Sequence, residues 1–364
     1  MDSSAVNANV SVDDFDSILL YSPDQSVWTT PDPSSPDFNA ASSQWWMGTY
    51  HATETINASI SFNFTGIFIS VFERTTGPAI YIYGNSGPSY GSYEVTIDSN
   101  TTTLSAYSSS NASEPYLLYG SSALEYANHT LTLKNVGAKG SDGGGNGFLF
   151  DYLRMTVQLG PKGATVTNKT LEETDSSITY TGVWGNNTSP AFSGGGSTFT
   201  NENLASFSLN FQGSAIYVFG DKKNDHREYN VYLDNGTAQA FNGTSGCGGA
   251  FGQTCEQQQP CLKFFASNLD GSTHSLKIEN LAGVNQSYFG TDFDSIVLTV
   301  PSEYAPRELS GTSTSSNASV TSSSTSSTST NSSGSSNAAS PLIAWNPMLL
   351  LFMACIYLFK SRLH

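Results

Sequence analysis

An all-β fold is predicted: two tandem antiparallel jelly-roll β-sandwiches, then a disordered Ser/Thr-rich stalk and one C-terminal transmembrane helix. Three observations predict it: a domain-sized duplication, a period-two alternation in every duplicated block, and an abrupt change of composition after Tyr304. The duplication carries most weight. Ala58–Phe72 recurs as Ala205–Phe219 with nine of fifteen positions identical. A repeat at this offset has the size of a domain, not of a solenoid unit. The modules are placed at residues 10–160 and 166–302, with Gly160-Pro161-Lys162-Gly163 as the hinge. At 364 residues, each half is long enough to bury its own core.

Each copy opens on an Asp-Ser motif: Asp16-Ser17-Ile18 with Tyr21 and Trp28, then Asp175-Ser176-Ser177-Ile178 with Tyr180 and Trp184. After the long block, Tyr93–Asp98 returns as Tyr229–Asp234, His129–Asn135 as His274–Asn280, and Phe150–Val157 as Phe293–Val300. Apolar and polar residues alternate through all four blocks, the pattern of half-buried strands. Ile60, Phe62 and Phe64 are expected to face inward and Ser59, Ser61 and Asn63 outward. Neither copy sustains an amphipathic helical period, and Gly/Asn/Ser turns join the strands, which selects antiparallel sandwiches. Length differences between the copies fall between blocks, at Glu73–Ser92 in the first and Gly236–Cys261 in the second, as surface loops do.

From Ser310 to Ser333, nineteen of twenty-four residues are Ser or Thr. Such a segment has too little apolar surface to offset its ordering entropy, so residues 303–340 read as an extended O-glycosylated stalk or a plain linker. Leu342–Phe359 follows, largely apolar and, as a helix, about 27 Å long, enough to cross a bilayer core. No Lys or Arg occurs between Arg307 and Lys360, so the short basic tail 360–364 is expected in the cytosol and both modules outside. The alternative is a GPI signal, with small residues at Asn331–Ser335, a polar spacer and the apolar run; the terminal Lys360 and Arg362 stand against it. Either way the modules lie at the cell surface. Met1–Val6 has neither a basic nor an apolar leader region, and a short upstream signal segment missing from this sequence is the expectation. Fourteen of the twenty-eight asparagines stand in Asn-x-Ser/Thr, against about seven by chance in a chain this rich in Ser and Thr. The N-glycosylation candidates within the modules are Asn57, Asn63, Asn100, Asn111, Asn128, Asn168, Asn187, Asn235, Asn242 and Asn285.

The net charge of −16 repels phosphate backbones and argues against nucleic-acid partners. No nucleophile elbow, zincin motif or phosphate loop is present. The repeated Asp98/Asp234, Asp151/Asp294 and His129/His274 are expected to serve the fold, so no catalytic residue is assigned. Asp13, Asp14 and Asp16 are candidates for a structural calcium site, weighed against solvated acids on an edge strand; Glu172-Glu173-Thr174-Asp175 occupies the matching place. Cys247, Cys255 and Cys261 are disulfide candidates; without a C-x-x-C spacing or an interleaved histidine, a zinc site is the poorer reading. Sugar rings stack their C–H faces on aromatics, which makes Trp45, Trp46, Tyr81, Tyr83 and Tyr90 the candidate ligand-binding residues. Trp28, matched by Trp184, reads as packing.

The blocks D-S-I-x-x-Y…W, A-S-x-S-x-N-F-x-G-x-x-I-x-V-F, Y-x-V-x-[IL]-D, H-[TS]-L-x-[IL]-x-N and F-D-[YS]-[LI] resemble those of a family. It is the fungal, mainly basidiomycete, membrane proteins with tandem galactose-binding-like jelly-roll domains. The resemblance covers residues 10–302 and implies glycan binding or a wall-facing surface role, with no catalytic residues to carry over. The expected function is a non-catalytic cell-surface membrane protein binding cell-wall or matrix glycans. The alternatives are a structural or adhesive surface glycoprotein with no sugar pocket and, last, a glycoside hydrolase with two unrepeated acids.

Overall fold

The computed structural model describes residues 5–32, 35, 38–39, 42–65, 80–121, 124, 126–140, 142–245, 261–283 and 291–306. The stalk, the apolar tail, Cys247, Cys255 and Asn285 lie outside them. No helix among the described residues is long and apolar enough to cross a membrane. The chain is all-β. The first half holds β1 (Val6–Asp13), β2 (Leu20–Ser22), β3 (His51–Thr53), β4 (Ser59–Thr65) and β5 (Ile80–Gly84). It continues with β6 (Ser92–Ile97), β7 (Asn100–Ser105), β8 (Tyr116–Ser121), β9 (Asn128–Gly137) and β10 (Phe148–Gly160). One sheet runs β1-β10-β5-β8, with β3 also on β10; the facing sheet runs β2-β4-β9-β6-β7, and all pairs are antiparallel. The first strand lies beside the last, and each sheet takes strands from both ends of the module, as in a β-sandwich.

The second half repeats this order. It has β11 (Val166–Glu172), β12 (Thr179–Thr181), β13 (Gly185–Thr188), β14 (Gly196–Thr200), β15 (Ser206–Phe211) and β16 (Ala215–Gly220). Then come β17 (Glu228–Leu233), β18 (Gln239–Asn242), β19 (Cys261–Ser267), β20 (His274–Asn280), β21 (Thr291–Phe293) and β22 (Ser295–Pro301). Its sheets are β11-β22-β16-β19 and β12-β15-β20-β17-β18, with a small third sheet β13-β14-β21. Strands thus stay within their own half, yet residues Met1–Thr312 form one compact unit.

Alternation along β4 places Ile60, Phe62 and Phe64 in the core and leaves Asn63 exposed, as the pattern requires. The same residues brace each copy. Tyr93 Oη donates to the Leu118 carbonyl (2.5 Å) and Tyr229 Oη to that of Lys263 (2.7 Å). Tyr21 Oη donates to the Asp14 carbonyl (2.6 Å) and Tyr180 Oη to that of Glu173 (2.7 Å). At the edge of the second sheet, His129 Nδ1 lies 2.7 Å from Asp98 Oδ2 and His274 Nδ1 2.8 Å from Asp234 Oδ2. Each repeated histidine thus pairs with a repeated aspartate, a contact that serves the fold. Asp98 sits at φ 56° and also accepts the Thr130 N–H (3.0 Å), tying a left-handed turn to β9. Asp98→Ala is expected to cost about 1–2 kcal/mol in urea denaturation and Asp98→Asn, which tolerates the same φ, clearly less.

A bulge in β10 shapes the site. Pairing with β5 slips between Phe150 and Tyr152, so Asp151 is the extra residue; in the second half Asp294 is the break between β21 and β22. Close backbone approach there excludes side chains: a Cβ on Gly84 would strike the Leu149 carbonyl and one on Gly220 the Asp292 carbonyl.

The outer face of the second half's first sheet is turned toward the first half. Ile216, Val218 and Phe264 fill the second core. Ala215 and Leu262 instead join the first core, and Tyr217, Phe219 and Phe265 pack against that cluster. Ser17 donates its N–H to the Leu262 carbonyl (3.1 Å), and the Leu262 N–H returns to Asp16 Oδ1 (2.7 Å).

Candidate functional site

Alternation also decides what the first half presents on the equivalent sheet. Leu153 and Met155 of β10 and Ile80 and Ile82 of β5 point into the core, so Tyr152, Arg154, Tyr81 and Tyr83 share the opposite face. Tyr83 stacks on Tyr152 (centroids 4.5 Å, 12° between planes), and Tyr81 lies 6.3 Å from Tyr83. Trp46, from the loop before β3, meets Tyr152 at 5.2 Å. The Arg154 guanidinium lies 5.8 Å from the Trp46 ring and 5.7 Å from Tyr152. Its Nε donates to Ser11 Oγ on β1 (3.3 Å). The result is an aromatic platform with one cation, half-buried except for Tyr152.

Beneath the platform, Asp151 holds the loop that carries Trp46: its Oδ1 accepts the Trp46 N–H (2.9 Å). Antiparallel pairing of β1 with β10 brings Asp13 and Asp14 beside it. Carboxylate oxygens of Asp13, Asp14 and Asp151 all lie within 4.8 Å of one another, and none of the three residues is more than 5 % exposed. Thr49 donates its hydroxyl to Asp14 Oδ1 (2.7 Å), and His51 Nδ1 lies 2.6 Å from Asp14 Oδ2. Asp13 Oδ1 and Asp151 Oδ2 are buried without a partner. From the second half, the buried Lys222 ammonium sits over the rings of Phe15 (5.6 Å) and Tyr21 (5.7 Å).

Burial sets the protonation of these groups. It pushes the Asp13 and Asp14 carboxyls well above the usual range, Asp151 to about 8 and Asp16 to about 6, and drives the His51 imidazole down. Three carboxylates this close in a dry site must be protonated or face a cation. The donors are hard oxygens, two of them unpartnered, and they fit a calcium-like divalent ion. The third carboxylate is Asp151, not Asp16 as the sequence suggested. Asp16 spends both oxygens on backbone, the Asp13 N–H (2.8 Å) and the Leu262 N–H (2.7 Å), and so builds the junction. At the matching place in the second half, Glu172 Oε1 accepts the Ser193 hydroxyl (2.9 Å) and Asp294 Oδ1 the Ser193 N–H (3.0 Å).

Of the five aromatic candidates, Trp46, Tyr81 and Tyr83 come together. Trp45 packs on Tyr50 instead (5.1 Å), and Tyr90 lies against the core with its hydroxyl accepting from Asn85 (3.1 Å). Tyr152, Arg154 and His51 were missed. The signal for the first two lay inside a repeated block, where the copies differ: Ser295 and Val297 stand at those positions. Cys261 is a buried free thiol 3.5 Å from Ser17 Oγ. Asn57, Asn63, Asn100, Asn111, Asn128, Asn168 and Asn235 are exposed, and Asn187 and Asn242 half-buried.

Fold and site together define an all-β protein of paired sandwiches with an aromatic face and a buried acid cluster. The chain matches no family model and no curated protein. It is similar to a xanthan lyase from Paenibacillus (14 % identity, TM-score 0.27), covering 75 % of this chain and 25 % of that one. It is also similar to a family two carbohydrate esterase from Cellvibrio japonicus (15 %, 0.29; 40 % of this chain, 37 % of that). A third likeness is to a family 35 carbohydrate-binding module from Clostridium thermocellum (14 %, 0.26; 36 % of this chain, 98 % of that). The chain spans well under two thirds of the lyase and of the esterase.

Proposed function

We propose that this chain is a non-catalytic glycan-binding protein of the cell surface, with the platform of Trp46, Tyr81, Tyr83, Tyr152 and Arg154 as its sugar-facing surface. The platform is the observation that carries the reading: a cluster of aromatic rings with a polar group at its edge combines apolar contact with directed hydrogen bonding. A calcium-like ion at Asp13, Asp14 and Asp151 would brace the loop that presents Trp46, through the Asp151–Trp46 hydrogen bond. The burial of those acids supports a binding role over hydrolysis, because a glycosidase pair must reach the bond it flanks. Surface display rests on the sequons, the Ser/Thr-rich segment and the apolar tail. The test is a glycan array probed with the purified full chain in calcium. Binding to a set of wall or matrix glycans is expected; silence across the array would overturn the proposal in favour of a structural or adhesive surface glycoprotein.

A further inference from the structure

Among the described residues the platform's cation has no acid to answer. The chain carries 30 acids against 14 bases, and several described cations find them: Lys134 and Lys139 pair with Glu94, Lys223 with Asp221 and Lys277 with Glu279. Arg154 forms no ion pair among the described residues. Its Nε is used by Ser11, which fixes the plane of the group, and two rings flank it. Among the described residues that leaves the two terminal amino groups, the half of the guanidinium fork that takes an oxyanion bidentately, without an acceptor. The fold does not require a cation there: the matching residue in the second half is Val297, on the sheet whose outer face is turned toward the first half.

We propose that Arg154 makes the platform selective for glycans bearing an anionic group, a uronate carboxylate or a sulfate ester, set on a ring that stacks against Tyr83 and Trp46. This rests on the platform being the sugar-facing surface and adds the chemical class of its ligand. An unpaired guanidinium held between aromatic faces is partly desolvated before the ligand arrives, so it loses little water on binding an oxyanion and its attraction is screened less than on an open surface. The anion then supplies the acceptors that the guanidinium lacks among the described residues.

An array on which each oligosaccharide appears in neutral, uronate, uronate methyl-ester and sulfated forms tests this with the full chain. For the wild type, anionic members are expected to bind at least about tenfold tighter than their neutral or esterified counterparts, with the preference shrinking as salt rises. Arg154→Gln is expected to erase the preference for the anionic over the neutral or esterified forms, and Arg154→Lys to keep part of it. Uronate outranking sulfate, or the reverse, assigns the source of the anion. Equal binding of acid and ester forms, or a preference that survives Arg154→Gln in a protein with unchanged circular dichroism, overturns the selectivity while leaving the platform in place. Silence on every glycan overturns both together.

Discussion

With a chelator present, the melting temperature of the full chain is expected to fall as pH rises from about 4 toward 8, and calcium is expected to remove much of that fall. Burial raises the folded-state values of Asp151 and Asp294 to about 8, Asp292 to about 7 and Asp16 to about 6, whereas the unfolded chain gives up these protons near 4. Between those limits these carboxyls hold more protons in the native state than in the unfolded one, so their contribution is complete below about 4 and is lost as pH climbs through the folded values. His51 and His226, whose values burial lowers, act in the opposite sense below about 6.5. Each such group contributes a slope of up to about 1.4 kcal/mol per pH unit, against a total stability of about 5–15 kcal/mol. A cation among Asp13, Asp14 and Asp151 favours their ionised forms and cancels the part of the slope that belongs to this cluster. Asp151→Asn, which keeps an acceptor for the Trp46 N–H but cannot ionise, should remove its own share of the slope in chelator and weaken the response to calcium. A melting temperature that is flat or rising from pH 5 to 8 in chelator would sink the assignment, as would indifference to calcium at pH 7.5.

Trp46→Ala and Tyr83→Ala are each expected to weaken glycan binding by about thirtyfold or more, while Trp45→Ala changes it by less than about threefold. A ring at the centre of a stacking surface is worth about 2 kcal/mol or more on truncation, which corresponds to that factor. Trp46 does two things at once, covering Tyr152 and walling Arg154 on one side. Tyr83 supplies the stacked neighbour that keeps Tyr152 flat. Trp45 is adjacent in sequence but turned onto Tyr50, which makes it the internal control. Titration calorimetry with the best array ligand separates the three. Equal losses for Trp45→Ala and Trp46→Ala would refer the effect to the loop as a whole and would count against the platform.

Much of the architecture was legible because the chain states it twice. Period-two alternation fixed which side of β4 and β9 is buried, and the repeated Tyr93/Tyr229 and Trp28/Trp184 proved to be packing. The site was only half legible. Trp46, Tyr81 and Tyr83 stood out as aromatics in or beside predicted loops of the first copy, although strand pairing matches Tyr81 with Tyr217 and Tyr83 with Phe219. Tyr152 and Arg154, in contrast, were hidden in a block whose repetition marked it as scaffold. Repetition speaks for the inward residues of a strand and is silent about the outward ones, where a duplicated sheet is free to diverge. The acid cluster was misdrawn for a different reason. Asp13, Asp14 and Asp16 are neighbours in sequence, but Asp151 reaches Asp14 only through the β1–β10 register and the bulge that re-aims it. Asp16 lies past the end of β1 and spends its oxygens on backbone, so sequence proximity was a poor guide to which carboxylates meet. His51 enters the same cluster from β3, paired with Phe150, and nothing local announces it.

The burial of Ala215, Leu262, Tyr217 and Phe219 at the junction bears on valency. Duplicating a module would ordinarily double its sites and let one molecule grip a polymer at two points, with the second contact strengthened by the high local concentration that tethering creates. Here the second copy has given its equivalent face to its neighbour, so under the proposed function each chain would be univalent through that sheet. Any strength gained from multiple contacts must then come from many chains side by side, and engagement of a glycan would depend steeply on how densely they are arrayed.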